Sequence, residues 1–262
     1  MRSRTPYDLD WVSHPDPRII AVSGNAIKSQ ICDCSELDHE LGSLIVRRIG
    51  QMESHAHRAS PDELYRLLLE PDFACHAFAG ENTTRIMSIQ RQLIENEVKC
   101  NIANCRMVTI PAVMQHGWCC FNWDMMAHVI TIMDPMAYQT EDTTRKTCFM
   151  YAADKIHDAL FDCIEEFFTE WHCSRHSWTK KSPLLSTTAF TRPESALCVV
   201  HLLRQFKGNS LAKPLTRAAI ANERGSLLIE LIHMEGNTAP LQLEGLDTIA
   251  DALNETMKDL GV

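Results

Sequence analysis

The chain has 262 residues, 45% of them hydrophobic, and a formal net charge of −9 at pH 7. That length and apolar content suffice for one sizeable core, and the acidic balance argues against nucleic acid or an anionic membrane as main partner, since both repel an acidic face. No stretch reaches the roughly 18 uninterrupted apolar residues of a membrane span, and the first residues lack the apolar core of a signal peptide, so a soluble intracellular protein, nuclear or cytoplasmic, is expected.

Residues 1–17 are polar and proline-interrupted and read as an N-terminal arm, ahead of a domain over 18–237 and a C-terminal helical extension over 238–262 packed on it. Residues 18–24 read as a short strand closed by a glycine. Ser35, with Asp38 three residues on, is placed to cap a helix whose stripe is Leu37, Leu41, Leu44, Ile45 and Ile49. Ser60-Pro61 starts a shorter helix, and Asn82-Thr83-Thr84 precedes another with Ile86, Ile89, Leu93 and Ile94 inward. The period then changes. Residues 107–110, 118–123 and 128–133 are β-branched or aromatic runs separated by turn residues, which predicts an antiparallel meander ended by Asp134-Pro135.

Residues 143–171 carry the longest helical pattern, with Phe149, Ile156, Leu160, Ile164 and Phe167 on one side. An edge strand is expected over 184–190. It leads into Pro193-Glu194-Ser195 and a helix that is apolar on nearly every side up to Phe206. Pro214 and Gly236 bracket a further helix, and 246–260 forms a last one. The pattern is α+β, a small central mostly antiparallel sheet flanked by helices.

Eleven cysteines, an odd number at irregular spacing, read as reduced thiols rather than a disulfide framework. No pair has the Cys-x-x-Cys spacing of a zinc or redox site. Cys32-x-Cys34 reads as packing, and His172-Cys173-x-x-His176 lacks a fourth ligand and reads as a polar loop. No metal or cofactor is expected.

Four landmarks over residues 18–236 resemble the ubiquitin-like-protein-specific (SUMO, or sentrin-specific) cysteine proteases, above all their divergent plant members. Leu37-Asp38 is similar to the family's Trp-Leu-Asn-Asp helix, and Gly117-Trp118 with Asp134-Pro135-Met136 to its His-Trp … Asp-Ser-Leu hairpin. Glu194-Ser195-Ala196-Leu197-Cys198 is similar to its Asp-Cys-Gly-Val-Tyr turn, and 227–237 to its closing Leu-Leu-x-x-Leu … Gly-Asn segment. The resemblance implies a papain-like, adenain-like fold and cysteine-type deSUMOylating chemistry. It puts the base slot at Gly117, the orienting carboxylate at Asp134, the nucleophile slot at Ser195 and the oxyanion slot at Ala189. Of the two aromatics over a di-glycine tail, the first slot holds Glu36 and the second Trp118.

Only the aspartate matches the family's chemistry. A serine hydroxyl titrates far above a thiol and needs an adjacent base, which Gly117 cannot supply. Loss of a nucleophile or base costs on the order of 10⁶-fold, and of an oxyanion donor on the order of 10²- to 10³-fold. The expectation is a catalytically inactive or severely impaired pseudoprotease, a protein-binding or scaffold module whose candidate partner is a ubiquitin-like modifier such as SUMO. Two alternatives stand beside it. One is an active isopeptidase or endopeptidase with a rearranged site of His116, Asp134 and Cys198, with His201 one helical turn from that thiol. The other is an interaction domain unrelated to such modifiers.

Overall fold

The computed structural model describes residues 5–33, 35–59, 65–95, 102–137 and 143–240. In chain order the elements are β1 (Asp10–His14), β2 (Ile20–Ser23), α1 (Gly24–Ile27), α2 (His39–Ala59), β3 (Tyr65–Leu68), α3 (Pro71–Ala79) and α4 (Met87–Gln90). They continue with β4 (Cys105–Met114), β5 (Gly117–Asp124), β6 (Val129–Met133), α5 (Thr143–Phe167), β7 (Thr179–Lys181), α6 (Arg192–Gln205) and α7 (Arg217–Ile232). Among the described residues no helix is long and apolar enough to cross a membrane.

The main sheet has the order β3-β4-β5-β6-β7. Its centre is the expected antiparallel meander, in register from Met107↔Asp124 to Met114↔Gly117 and from Cys120↔Met133 to Asp124↔Val129. The two outer strands add in parallel, so the sheet is mixed. Every residue of β5 is buried, because successive side chains feed opposite cores. Trp118 and Cys120 join a core with α2, α6 and α7. Cys119, Phe121 and Trp123 join one with α3 and α5.

Several boundaries differ from the sequence pattern for local reasons. Part of the N-terminal arm is β1, which pairs antiparallel with β2 because Trp11 and Val12 are both buried in the α2–α6–α7 core. Asp38 rather than Ser35 caps α2, its Oδ1 accepting the Leu41 N–H at 2.8 Å, while Ser35 Oγ bonds the Ser29 carbonyl instead. Residues 60–64, where a helix was expected to begin, lie outside the described residues. The next residues, Tyr65–Leu68, are strand because they pair with β4, and the helix starts at Pro71, whose missing N–H is no loss in a first turn.

The expected edge strand over 184–190 is irregular, with Leu184 exposed and Phe190 buried; Thr179–Lys181 takes the sheet edge instead. The long helix ends at Phe167. The expected helix over 246–260 lies outside the described residues.

α6 begins where the sequence predicts. Glu194 reaches back to accept the Thr191 N–H at 2.7 Å and its hydroxyl at 2.8 Å, Pro193 lies in the first turn, and the nine residues Ser195–Leu203 are buried without a break. A helix apolar all round belongs inside a core, and this one packs along β5.

Candidate active site

The start of α6 and the start of β5 meet, which joins two of the positions singled out in the sequence. Ser195 is fully buried. Its Oγ accepts the Trp118 backbone N–H at 2.9 Å and donates to the Arg192 carbonyl at 2.6 Å. The hydroxyl proton is therefore committed to a backbone oxygen, and none of the described histidines is hydrogen-bonded to it.

Gly117 has φ +132°, a conformation that side chains rarely adopt, and a Cβ built on it would lie 2.6 Å from Ser195 Oγ and 3.4 Å from Arg192 Cγ. The space beside Gly117 is thus not an empty pocket: the Ser195 hydroxyl fills it. His116 is the neighbour that could have slid into the slot. It lies with Gln115 at the tip of the tight turn joining Met114 to its partner Gly117, and it is exposed.

Asp134 is buried, but its carboxylate faces a different partner. Arg145 of α5 donates to Oδ1 at 2.7 Å and lies 2.6 Å from Oδ2, and the Met136 N–H donates to Oδ1 at 2.9 Å. The register Cys120↔Met133, carried one residue on, sets Asp134 opposite Cys119. Burial and then the nearby Asp134 charge push the Cys119 thiol well up. Asp134 is thus held on the α5 side by an arginine, with no hydrogen bond to the Ser195 turn.

Arg192, the first residue of α6, lies against Gly117 beside the seat that Ser195 fills. Its guanidinium donates to Glu36 (Nε at 2.9 Å, Nη2 at 2.7 Å) and to the Gln115 carbonyl. One side chain thereby ties α6 to the segment before α2 and to the β4–β5 turn. Glu36, the position that the resemblance sets against the first tail-covering aromatic, thus carries an ion pair. Trp118, in the second slot, is 3% exposed. Its indole donates to the Leu37 carbonyl at 3.1 Å, and its ring lies against Gly42, where any Cβ would overlap it.

The remaining candidates are also engaged elsewhere. Ala189 is exposed, brings no side-chain donor, and offers its carbonyl to Arg217 at 2.7 Å. Arg217 in turn pairs with Glu194 and lies over the Phe190 ring at 5.9 Å. Cys198 is fully buried, and its thiol is pushed up by that burial and by the Glu194 charge. His201, one turn on, meets Glu223 Oε1 at 3.0 Å through Nδ1 and the Lys213 carbonyl at 3.1 Å through Nε2. No hydrogen bond joins His116, Asp134 and Cys198.

His172, Cys173 and His176 lie in the loop after α5, where partial burial pushes the Cys173 thiol up. Among the described residues no three potential ligands are grouped as a metal site. Cys32 is buried, and Cys34 lies outside the described residues. Sequence reasoning missed Arg145 and Arg192. Nothing in spacing or composition distinguishes either from a solvated arginine, because each finds its partner across a tertiary contact.

No protein-family model matches the chain, and no curated protein matches it. Solved structures do. The SUMO protease Ulp1 with its catalytic cysteine oxidised to a sulfinic acid is 11% identical, with TM-score 0.57 over 89% of this chain and 86% of its own. The C-terminal Ulp1 protease domain in complex with Smt3, the yeast ortholog of SUMO, is 10% identical, with TM-score 0.58 over 88% and 89%. The Ulp1-like SUMO protease catalytic domain of Chaetomium thermophilum is 11% identical, with TM-score 0.55 over 89% and 85%. The chain thus has the papain-like α+β fold of SUMO protease catalytic domains.

Proposed function

We propose that this chain is a catalytically inactive or severely impaired SUMO-protease-like domain, a pseudoprotease that works as a protein-binding or scaffold module, with a ubiquitin-like modifier such as SUMO as partner in the nucleus or cytoplasm. The observation that carries the reading is the contact between Gly117 and Ser195. The nucleophile slot holds a hydroxyl that donates to a carbonyl, and the base slot has no space for a side chain. A serine nucleophile without a base in hydrogen-bond reach is not activated. The Asp134–Arg145 pair supports the same reading, since the carboxylate that would orient a histidine is held by an arginine.

Binding is supported by a neighbour of the same fold seen in complex with Smt3. The Glu36–Arg192 bridge and the buried Trp118 narrow the mode. They favour contact with the folded body of the modifier over insertion of its C-terminal tail. Titration of the chain with fluorescently labelled SUMO, with SUMO lacking its terminal di-glycine, and with ubiquitin tests this. Saturable binding of a modifier with equal affinity for tailed and tailless forms is expected. No saturable binding of either modifier sinks the partner assignment and favours an interaction domain for an unrelated protein, and a large loss on removing the tail sinks the binding mode.

A further inference from the structure

Away from this seat, a thiol and an imidazole face each other at the surface. Cys75 of α3 is exposed, and its Sγ lies 3.2 Å from Nε2 of His39 in the first turn of α2. Among the described cysteines only Cys75 and Cys148 are exposed. The juxtaposition is built by the packing of α3 on α2. The His39 ring lies beside the start of α3, near Pro71 and Asp72, and in the tautomer with its proton on Nδ1 the Nε2 atom accepts from the thiol.

The charges facing the pair come from three elements. Asp72 lies on α3, Asp38 and Glu40 at the start of α2, and Arg18 ahead of β2. Arg18 lies 3.3 Å from Glu40 and 3.8 Å from Asp72, so the acids are partly offset. Partial burial and then Asp72 push the Cys75 thiol up, while burial pulls the His39 imidazole down. The resting pair is thus S–H beside a neutral imidazole, which needs a base to release a nucleophile. The base stands at hydrogen-bond distance.

We infer that Cys75 and His39 form a thiol-modification site that takes small-molecule disulfides. Cys75 Sγ attacks one sulfur of the disulfide, the new S–S bond forms as the old one breaks, and the thiol proton passes to His39 Nε2 and from there to the departing thiolate. The products are a mixed disulfide on Cys75 and one free small thiol. His39 is also 6.5 Å, ring to ring, from Trp118, so the site borders the closed seat without using any of its residues, and it stands independently of the proposed partner.

The test is incubation of the full chain with glutathione disulfide at pH 7, with modification followed at each cysteine by mass spectrometry. Cys75 should react at least about tenfold faster than Cys148, the low end of what a positioned base contributes being about 10². His39→Gln should slow Cys75 at least about tenfold and leave Cys148 unchanged. Equal rates at Cys75 and Cys148 in the unsubstituted chain, a comparison that needs no variant, overturn the inference. So does a Cys75 rate that is indifferent to His39→Gln in a folded variant.

Discussion

Replacing Gly117 with alanine puts one methyl group where the fold has reserved space for a hydroxyl. The backbone at φ +132° would strain any side chain, at a cost of about 1–3 kcal/mol. The new Cβ, 2.6 Å from Ser195 Oγ, also displaces the hydroxyl. That strands the buried Trp118 N–H it accepts from, at about 1–3 kcal/mol more. The total of about 2–6 kcal/mol should lower the melting temperature by roughly 4–24 °C, at about 2–4 °C per kcal/mol for a chain of this size.

Equilibrium urea denaturation measures the effect, and a second substitution isolates its cause. Ser195→Ala alone loses the same hydrogen bond. In the double variant, though, the nearest atom to the new Cβ is the residue 195 Cβ, 3.3 Å away in the unsubstituted chain. The double variant should therefore be less destabilised than the sum of the singles, by about 1 kcal/mol or more, the size of coupling expected between residues in contact. A Gly117→Ala variant within about 0.5 kcal/mol of the parent, the spread of substitutions at featureless surface sites, would refute the claim that the Ser195 hydroxyl fills the space beside Gly117. Strict additivity would do the same.

Other consequences concern the surroundings of the seat. Arg145→Met leaves the buried Asp134 carboxylate without its cation and should cost about 3–5 kcal/mol in urea denaturation; Asp134→Leu combined with Arg145→Met should recover much of it. Gly42→Ala gains about 1 kcal/mol of helix propensity but overlaps the Trp118 ring, and overpacking of about 1–3 kcal/mol wins. Gly50→Ala in the same helix meets nothing within 4 Å and should stabilise by up to about 1 kcal/mol, so opposite signs in one melting experiment check both.

Burial is the leading cause that lowers His14, His39 and His157 below 6.5. The unfolded chain therefore binds more protons below that value, and stability present above pH 6.5 is lost as pH falls through the lowered values. At His157 a hydrogen bond acts in the same direction as burial. Nδ1 accepts the Trp123 indole N–H at 3.1 Å while Nε2 donates to the Arg175 carbonyl at 2.9 Å, and a second proton breaks the first bond. Denaturation midpoints that do not fall between pH 7 and 5, or that fall equally in His157→Asn, would contradict this assignment.

The meander, the buried α6 and the long α5 were legible because each is a run of one period with punctuation at its ends. Asp134-Pro135 closes β6, and Glu194 caps α6 in sequence and in space. β3 and β7 were not legible. Both are short strands that pair in parallel with a neighbour already in the sheet, so their identity comes from partners far along the chain. β1 was hidden by the prolines around it, although Trp11 and Val12 anchor it.

At the site, residue types and the resemblance to SUMO proteases singled out Gly117, Asp134, Ser195 and Ala189. The positive φ of Gly117, the arginine on Asp134 and the contacts of Arg192 with Glu36 and Gln115 belong to tertiary geometry, and local sequence carries no trace of them. That difference matters for function. On the proposed reading, restoring a thiol at 195 and an imidazole at 117 would still leave residue 117 at a positive φ and Asp134 held by Arg145.

The most direct test is turnover. The full chain is incubated with a SUMO–peptide fusion and a SUMO isopeptide conjugate, alongside the Cys198→Ala variant, and cleavage after the terminal glycine is followed. Cleavage by the chain should not exceed the background without it, and Cys198→Ala should change nothing. Cleavage well above background that Cys198→Ala abolishes would contradict the account and install a rearranged cysteine site in its place.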